Sequence, residues 1–276
     1  MKLIADSGST KTDWRLIDGG KIVEEIQSSG INPFFQDEKE IRATIEPFYE
    51  KLKTYPVQHV FFYGAGCSFE DKKLTLKHTL SYFFPMANIE IQSDMLGVAR
   101  ALLGKGAGIA CILGTGSNSC FYDGNEITKN VSSLGFMLGD EGSGATLGRL
   151  FISDLLKNQL PENLKNRFFE TTKTTPEEIM ENVYRKPFPN RYLADFTHFL
   201  AENIADNYIK KLLHDSFVQF FERNVKQYDY RNVEVHFVGS VAFYFKEILK
   251  ESAKASGIKI GRIEQNPMEG LVKFHC

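Results

Sequence analysis

Two short turns rich in glycine and hydroxyl residues, each entered by an apolar strand, constrain this chain more than any other feature. The sharper is Leu113-Gly114-Thr115-Gly116-Ser117-Asn118, which closes an apolar run that begins at Gly108. The other is N-terminal: Leu3-Ile4-Ala5 leads into Asp6-Ser7-Gly8-Ser9-Thr10-Lys11-Thr12, and a strand-like stretch from Trp14 to Ile17 follows. Both read as β-hairpins. Glycine has no Cβ and hydroxyls add donors, so such tips let backbone N–H groups come close to an anion. Two phosphate-sized turns about a hundred residues apart predict a nucleotide gripped between two related halves.

With 276 residues the chain has room for two domains, each with its own core. A formal net charge of −2 argues against nucleic acid or an anionic membrane as the main partner, because neither is attracted without a basic excess. No apolar run approaches the ~18 residues of a membrane span, and Asp6 arrives too early for a signal-peptide core. A reducing, cytoplasmic setting is the expectation. Cys67, Cys111, Cys120 and Cys276 form no C-x-x-C pair, which disfavours zinc ribbons and redox motifs. Cys111 and Cys120 read as small buried residues and not as a disulfide. The 23 phenylalanines fall at helical or strand spacings and read as core.

The first third of the chain alternates strands and helices. Leu3–Ala5, Trp14–Ile17 and Lys21–Gln27 predict a meander, with Asp18-Gly19-Gly20 as a turn. A helix is expected over Ile41–Leu52, kinked or started late by Pro47. A strand over Val57–Tyr63 runs into Gly64-Ala65-Gly66. A helix over Leu74–Phe84, a strand over Ile89–Ile91 and a helix from Asp94 to Leu103 follow. The pattern then restarts with Gly108–Leu113, Ser119–Tyr122 and Glu126–Lys129. Helices dominate from Ala145 to about Lys226, where Phe196, Leu200, Ile204, Tyr208 and Leu212 step by four as one buried stripe. Lys157–Pro189 reads as a solvated loop-and-helix excursion. Val233–Val238 predicts a strand, Gly239-Ser240 a turn, Val241–Ala255 a helix and Arg262-Ile263 a last strand. A repeated meander followed by α/β units describes a duplicated α/β fold.

Several polar residues could carry chemistry. Asp6 is either a turn aspartate bonded to its own backbone or a carboxylate that holds Mg²⁺ beside a phosphate cradle. Asp94 opens a helix at the C-terminal end of a strand, so it reads as a helix N-cap, a general base, or both. Asn118 extends the second turn with a group that donates and accepts. Asp140 and Glu141 stand in Leu138-Gly139-Asp140-Glu141-Gly142-Ser143-Gly144 and by default are solvated. Val238-Gly239-Ser240-Val241 is a strand-to-helix turn against which an adenosine could lie.

In this order, these pieces resemble the actin-like ATPase superfamily of sugar kinases and hsp70 proteins. Within it the chain is most similar to the N-acetylglucosamine kinase family, grouped with the BadF/BadG/BcrA/BcrD-type activator ATPases. The resemblance implies a duplicated ribonuclease H-like fold in two lobes, 1–103 and 104–265, with a nucleotide cleft between them. The helix at 266–276 would return to the first lobe. It implies ATP and Mg²⁺ as cofactors, an amino sugar as substrate, and a homodimer. Asp6 would take the metal. Ser7, Gly8, Ser9, Thr10, Lys11 and Thr12, with Gly114, Thr115, Gly116 and Ser117, would hold the phosphates, and Gly239 and Ser240 the adenosine. Asp94 would be the base facing the sugar hydroxyl. Asn32, Gly64, Ala65, Asn118 and Asp140 would line the sugar pocket. One departure is visible: Leu134-Gly135-Phe136 stands where family members usually carry Gly-Trp-Gly. Two other classes compete with this one. An activator ATPase would need cysteines for a shared iron–sulfur cluster, and only Cys67 reads as lying in a surface loop. A sugar sensor without catalysis would keep the fold but has no need of Asp6 and Asp94 together.

Overall fold

The computed structural model describes residues 1–8 and 10–276; Ser9, one of the expected phosphate-binding residues, lies outside the described residues. The chain divides into two compact units. One comprises Met1–Gly106, Tyr122–Ile127 and Asn266–Cys276; the other comprises Ala107–Phe121 and Thr128–Gln265.

In the first unit β1 (Lys2–Ser7), β2 (Lys11–Asp18) and β3 (Lys21–Ser29) form an antiparallel meander. After α1 (Glu38–Leu52), β4 (His59–Gly64) pairs parallel to β1. After α2 (Glu70–Phe83), β5 (Asn88–Ser93) pairs parallel to β4 and runs directly into α3 (Asp94–Leu103). The sheet order is β3-β2-β1-β4-β5. Side chains alternate between the two faces of a strand. Leu3, Ala5, Trp14 and Phe62 therefore join one core, while Ile4, Ile17 and Tyr63 join another with the C-terminal residues Met268, Leu271 and Val272.

Helix α1 begins earlier than its apolar pattern suggests. Asp37 and Glu40 form a reciprocal capping box ahead of it, typically worth about 1 kcal/mol. It also runs through Pro47. A mid-helix proline costs about 3 kcal/mol, but Ile41, Ile45, Phe48 and Leu52 are all buried, at about 1.5–3 kcal/mol each. Burial wins.

The second unit repeats the plan. β6 (Gly108–Leu113), β7 (Ser117–Tyr122) and β8 (Ile127–Val131) precede a helical block: α4 (Gly135–Leu138), α5 (Gly144–Leu156), α6 (Glu162–Thr172), α7 (Pro176–Tyr184), α8 (Pro189–Asp195), α9 (Thr197–Glu202) and α10 (Asn207–Arg223). Then come β9 (Val235–Val238), α11 (Ser240–Tyr244), α12 (Lys246–Ala255) and β10 (Ile260–Glu264). The order β10-β9-β6-β7-β8, with β9 parallel to both β6 and β10, matches the first sheet strand for strand. A last helix, α13 (Met268–His275), belongs to the first unit, where it packs on α3 so closely that a Cβ at Gly270 would meet the Ala101 carbonyl at 2.3 Å.

Three expectations need correction. The segment Lys157–Pro189 is not a solvated excursion: α6 and α7 bury Leu164, Phe168 and Ile179 in the main core of the second unit. The stripe from Phe196 to Leu212 is not one helix, because α9 ends at Glu202 and Asp206 caps a new one; Ile204, Tyr208 and Leu212 are only partly buried. The helix expected over Val241–Ala255 is broken at Phe245, a buried residue between α11 and α12.

Candidate functional site

Register decides where the polar ends of the first sheet fall. Ser7 pairs with Gly64 across the parallel β1–β4 ladder, and Gly64 pairs with Ser93 across β4–β5. Asp6-Ser7, Gly64-Ala65 and Ser93-Asp94 thus finish together at the C-terminal ends of three parallel strands, where open α/β sheets take ligands. The Ala65 N–H donates to the Ser7 carbonyl at 3.1 Å, tying the first turn to the Gly64 segment. Asn32 joins them: a Cβ at Gly66 would lie 2.1 Å from its Oδ1, which already accepts the Phe34 N–H at 2.9 Å.

The β1–β2 turn braces itself. Ser7 Oγ lies 2.7 Å from Thr12 Oγ1 and donates to the Ile31 carbonyl at 2.9 Å, while Thr12 Oγ1 donates to the Ser29 carbonyl at 3.1 Å. Both hydroxyls are buried and committed to the loop's own scaffold. Gly8 and Thr10 are exposed, but the Gly8 N–H already donates to the Lys11 carbonyl at 3.0 Å and the Thr10 carbonyl accepts the Gly30 N–H at 2.9 Å. Lys11 Nζ is 2.9 Å from Asp13 Oδ2, and Gln27 Nε2 donates to Asp13 Oδ1 at 2.7 Å.

Asp6 and Asp94 are half-buried and close enough to sense each other. Loss of solvent, then Asp94 and Asp13, push the Asp6 carboxyl up to about 7, with Lys11 opposing. Burial also raises Asp94, against hydrogen bonds from the Met95 N–H and its own N–H. The expected N-cap role falls instead to Ser93, whose Oγ accepts the Leu96 N–H at 3.2 Å; Asp94 is the first helical residue. A carboxylate surrounded by like charges, with one exposed lysine nearby, suits a hard cation. Magnesium takes one or two carboxylates, phosphate oxygens and waters in place of an all-protein cage. Among the described residues no three His, Cys, Asp or Glu side chains form such a cage.

In the second unit the two glycine loops are one structure. The Gly144 and Ala145 N–H groups at the start of α5 donate to the Gly114 and Thr115 carbonyls at 2.8 and 3.1 Å. Asp140, in the left-handed region at φ 55°, accepts from Ser133 Oγ at 2.9 Å and from the Gly135 N–H at 3.1 Å. The Ser117 N–H donates to the same carboxylate, and a Cβ at Gly116 would lie 2.9 Å from its Oδ2. Asp140 is therefore buried, not solvated as expected, and burial raises its carboxyl against those hydrogen bonds. Neighbouring Glu141 is largely covered and lies 2.7 Å from Arg223 Nε. Asn118 Oδ1 accepts the Ser119 N–H at 2.9 Å and Asn130 Nδ2 at 3.0 Å.

Gly239 closes the same corner. Its φ is 122°, and a Cβ there would meet the Leu113 carbonyl at 2.3 Å, so Gly239-Ser240 lies directly against the entry to the Gly114 turn. Between the loops and the end of α10 is a cavity of about 130 Å³, lined in part by Ser117, Ser133, Asp140, Glu141, Arg223 and Asn224. Asp13, Ser133 and Arg223 were not anticipated. Pairing the hairpin outward from its tip places Asp13 opposite Asp6; Ser133 and Arg223 carry no local signal. The phenylalanines are not all core: Phe34, Phe35 and Phe69 are exposed, the first two with rings 5.1 Å apart beside Asn32. Cys67, expected in a surface loop, is buried, and its thiol is pushed up to about 12 by burial. Only Cys276 is exposed among the four, which does not favour a cysteine-held cluster. Cys111 and Cys120 are buried free thiols.

A three-stranded meander followed by two parallel strands, occurring twice and carrying glycine turns at matching places, is the duplicated α/β fold of the actin-like ATPases. No protein-family model matches the chain, and no curated protein matches it. Solved structures do. A "putative N-acetylglucosamine kinase" from Porphyromonas gingivalis is 48% identical with a TM-score of 0.96, over 100% of this chain and 98% of that one. A second protein so described, from Chromobacterium violaceum, is 16% identical with a TM-score of 0.72, over 99% and 98%. The ROK hexokinase of Thermus thermophilus shares the fold at 13% identity and a TM-score of 0.52, over 99% and 96%. The chain belongs to the N-acetylglucosamine kinase family. Among the described residues no helix is long and apolar enough to cross a membrane.

Proposed function

We propose that this protein is an ATP-dependent kinase that phosphorylates a hydroxyl of an amino sugar, with N-acetylglucosamine as the first substrate and its 6-phosphate as product. The observation that carries the reading is the shared end point of Asp6, Gly64 and Asp94 on three parallel strands. The likeness to the Porphyromonas gingivalis protein supports the choice of sugar.

In this reading the acceptor hydroxyl loses its proton to Asp94 as its oxygen bonds to the γ-phosphorus. The bridging bond to the β-phosphate breaks, and its electron pair leaves with ADP. Phosphoryl transfer has a loose transition state, so positioning and charge neutralisation supply most of the rate. Burial of Asp94 raises its affinity for a proton, which suits a base that must accept one. Mg²⁺, bound with ATP, supplies charge neutralisation at the phosphates; Asp6 would hold it, directly or through water. The Ser7–Thr12 and Gly114–Ser117 turns would bind phosphate oxygens, and Gly239-Ser240 the adenosine. Asn32, Gly64, Ala65, Asn118 and Asp140 would orient the sugar. Lobes 1–103 with 266–276 and 104–265, a homodimer and a cytoplasmic location belong to the same reading.

A coupled assay of ADP release over a panel of amino sugars, with and without Mg²⁺, tests it. Sugar-dependent and Mg²⁺-dependent release is expected. Tight sugar binding without turnover on any sugar would make the protein a sensor instead.

A further inference from the structure

The cavity beside Asp140 lies wholly in the second unit, and one part of its wall has no role in the scheme above. Arg223, the last residue of α10, places Nε 2.7 Å from Glu141 Oε1 at that wall. The two partners differ in exposure: the Glu141 side chain is 13% exposed and that of Arg223 is 60%. A solvated ion pair of this kind adds little to stability, typically under about 1 kcal/mol. Its placement at the cavity calls for a different account. The pairing uses one of the five N–H donors of a guanidinium held in a rigid fork.

Size and polarity narrow what the cavity can take. Its volume is about 130 Å³, against roughly 10–15 Å³ for one water on the same measure. That is room for about ten water-sized groups, the scale of a single sugar ring with its substituents. The wall sets a donor, Arg223, beside two acceptors, Glu141 and Asp140. A hydroxyl both donates and accepts, and an amide offers one of each, so a neutral polyol satisfies such a wall without breaking the Glu141–Arg223 pair. A carboxylate would face two acids. An ammonium would face the guanidinium.

We infer that the Glu141–Arg223 pair determines specificity, admitting a neutral, hydroxyl- and amide-bearing sugar to the Asp140 cavity and rejecting charged analogues of similar size. This rests on the sugar-kinase reading. It is a choice made by repulsion as much as by attraction.

The test compares three acceptors on one enzyme preparation: N-acetylglucosamine, glucosamine with its ammonium group, and N-acetylmuramate with its carboxylate. Arg223→Met leaves the two acids unopposed, and the kcat/KM ratio of glucosamine to N-acetylglucosamine should rise about tenfold or more, the scale of one charged hydrogen bond. Glu141→Gln removes the acid paired with the guanidinium and should raise the ratio for N-acetylmuramate instead. Because both acceptors are measured on the same sample, a reduced folded fraction cancels from each ratio. Ratios within twofold of wild type in both variants would overturn the inference. If wild type transfers phosphate to no sugar, the kinase reading fails. Calorimetric affinities of the same three sugars for the same variants would then still decide the role of the pair.

Discussion

Asp6 and Asp13 stand directly opposite each other across the β1–β2 hairpin, and the second of them is ion-paired with Lys11 at 2.9 Å. Like charges facing across an antiparallel pair cost stability. With Asp94 nearby as well, this end of the sheet gives up stability for an electronegative site that a bound cation would relieve.

The Asp6 carboxyl gives this a pH signature. Its folded value, about 7, lies above the 3.8 of a free aspartate. The folded state therefore holds the proton more tightly. The contribution is fully present below about pH 4 and is lost as pH rises through 7. In chelator, Asp6→Asn should melt higher than wild type at pH 8 and show little difference at pH 4. Equal differences at both pH values would contradict the buried-acid account.

Asp94→Asn removes the proposed proton acceptor but keeps the shape of the side chain. We expect kcat to fall by about 10²–10⁴-fold, while ATP affinity measured by calorimetry stays near wild type. Unchanged turnover would remove Asp94 from the mechanism.

Gly239 occupies backbone space that is essentially closed to other residues, with the Leu113 carbonyl 2.3 Å from any added Cβ. Gly239→Ala should destabilise the protein by about 2 kcal/mol or more in urea unfolding and displace the Gly114 turn. ATP affinity should fall with it. A variant with wild-type stability would mean that this corner yields easily.

His275 tests the C-terminal helix. Its ring lies 2.8 Å from the Tyr63 hydroxyl and stacks on Phe61 at 3.8 Å between centroids. Burial first, then the Arg100 charge, lowers its pKa from 6.5 to about 4. The unfolded chain thus binds the proton more readily, so the stabilisation is complete above about pH 6.5 and fades as pH falls toward 4. His275→Phe should flatten the pH dependence of the urea midpoint between pH 7 and 5. A midpoint that falls as steeply as in wild type would place the titrating group elsewhere.

Much of the framework was legible because its signals are local. Both hairpins, the strand before Asp94 and the helix beginning there follow from alternation and a glycine or serine at each turn. The site was legible only as separate pieces. Whether Ser7 and Thr12 present hydroxyls to a ligand depends on Ile31 and Ser29, which come near them only once β3 is paired. The burial of Asp140 depends on Ser133, Gly135 and Ser117 folding around it. The buried residues of α6 and α7 are sparse, so Leu164, Phe168 and Ile179 were outweighed by the lysines, asparagines and threonines around them. The break between α9 and α10 was hidden because residues on both sides kept the four-residue step.

The most direct measurement is of the product. Wild-type protein, ATP, Mg²⁺ and N-acetylglucosamine should yield a sugar one phosphoryl group heavier by mass spectrometry, with the new ester at the 6-hydroxyl by phosphorus NMR. Asp94→Asn should yield far less in the same time. ADP appearing with the sugar recovered unmodified would mean that the phosphoryl group goes to water, and a sugar kinase would be the wrong description.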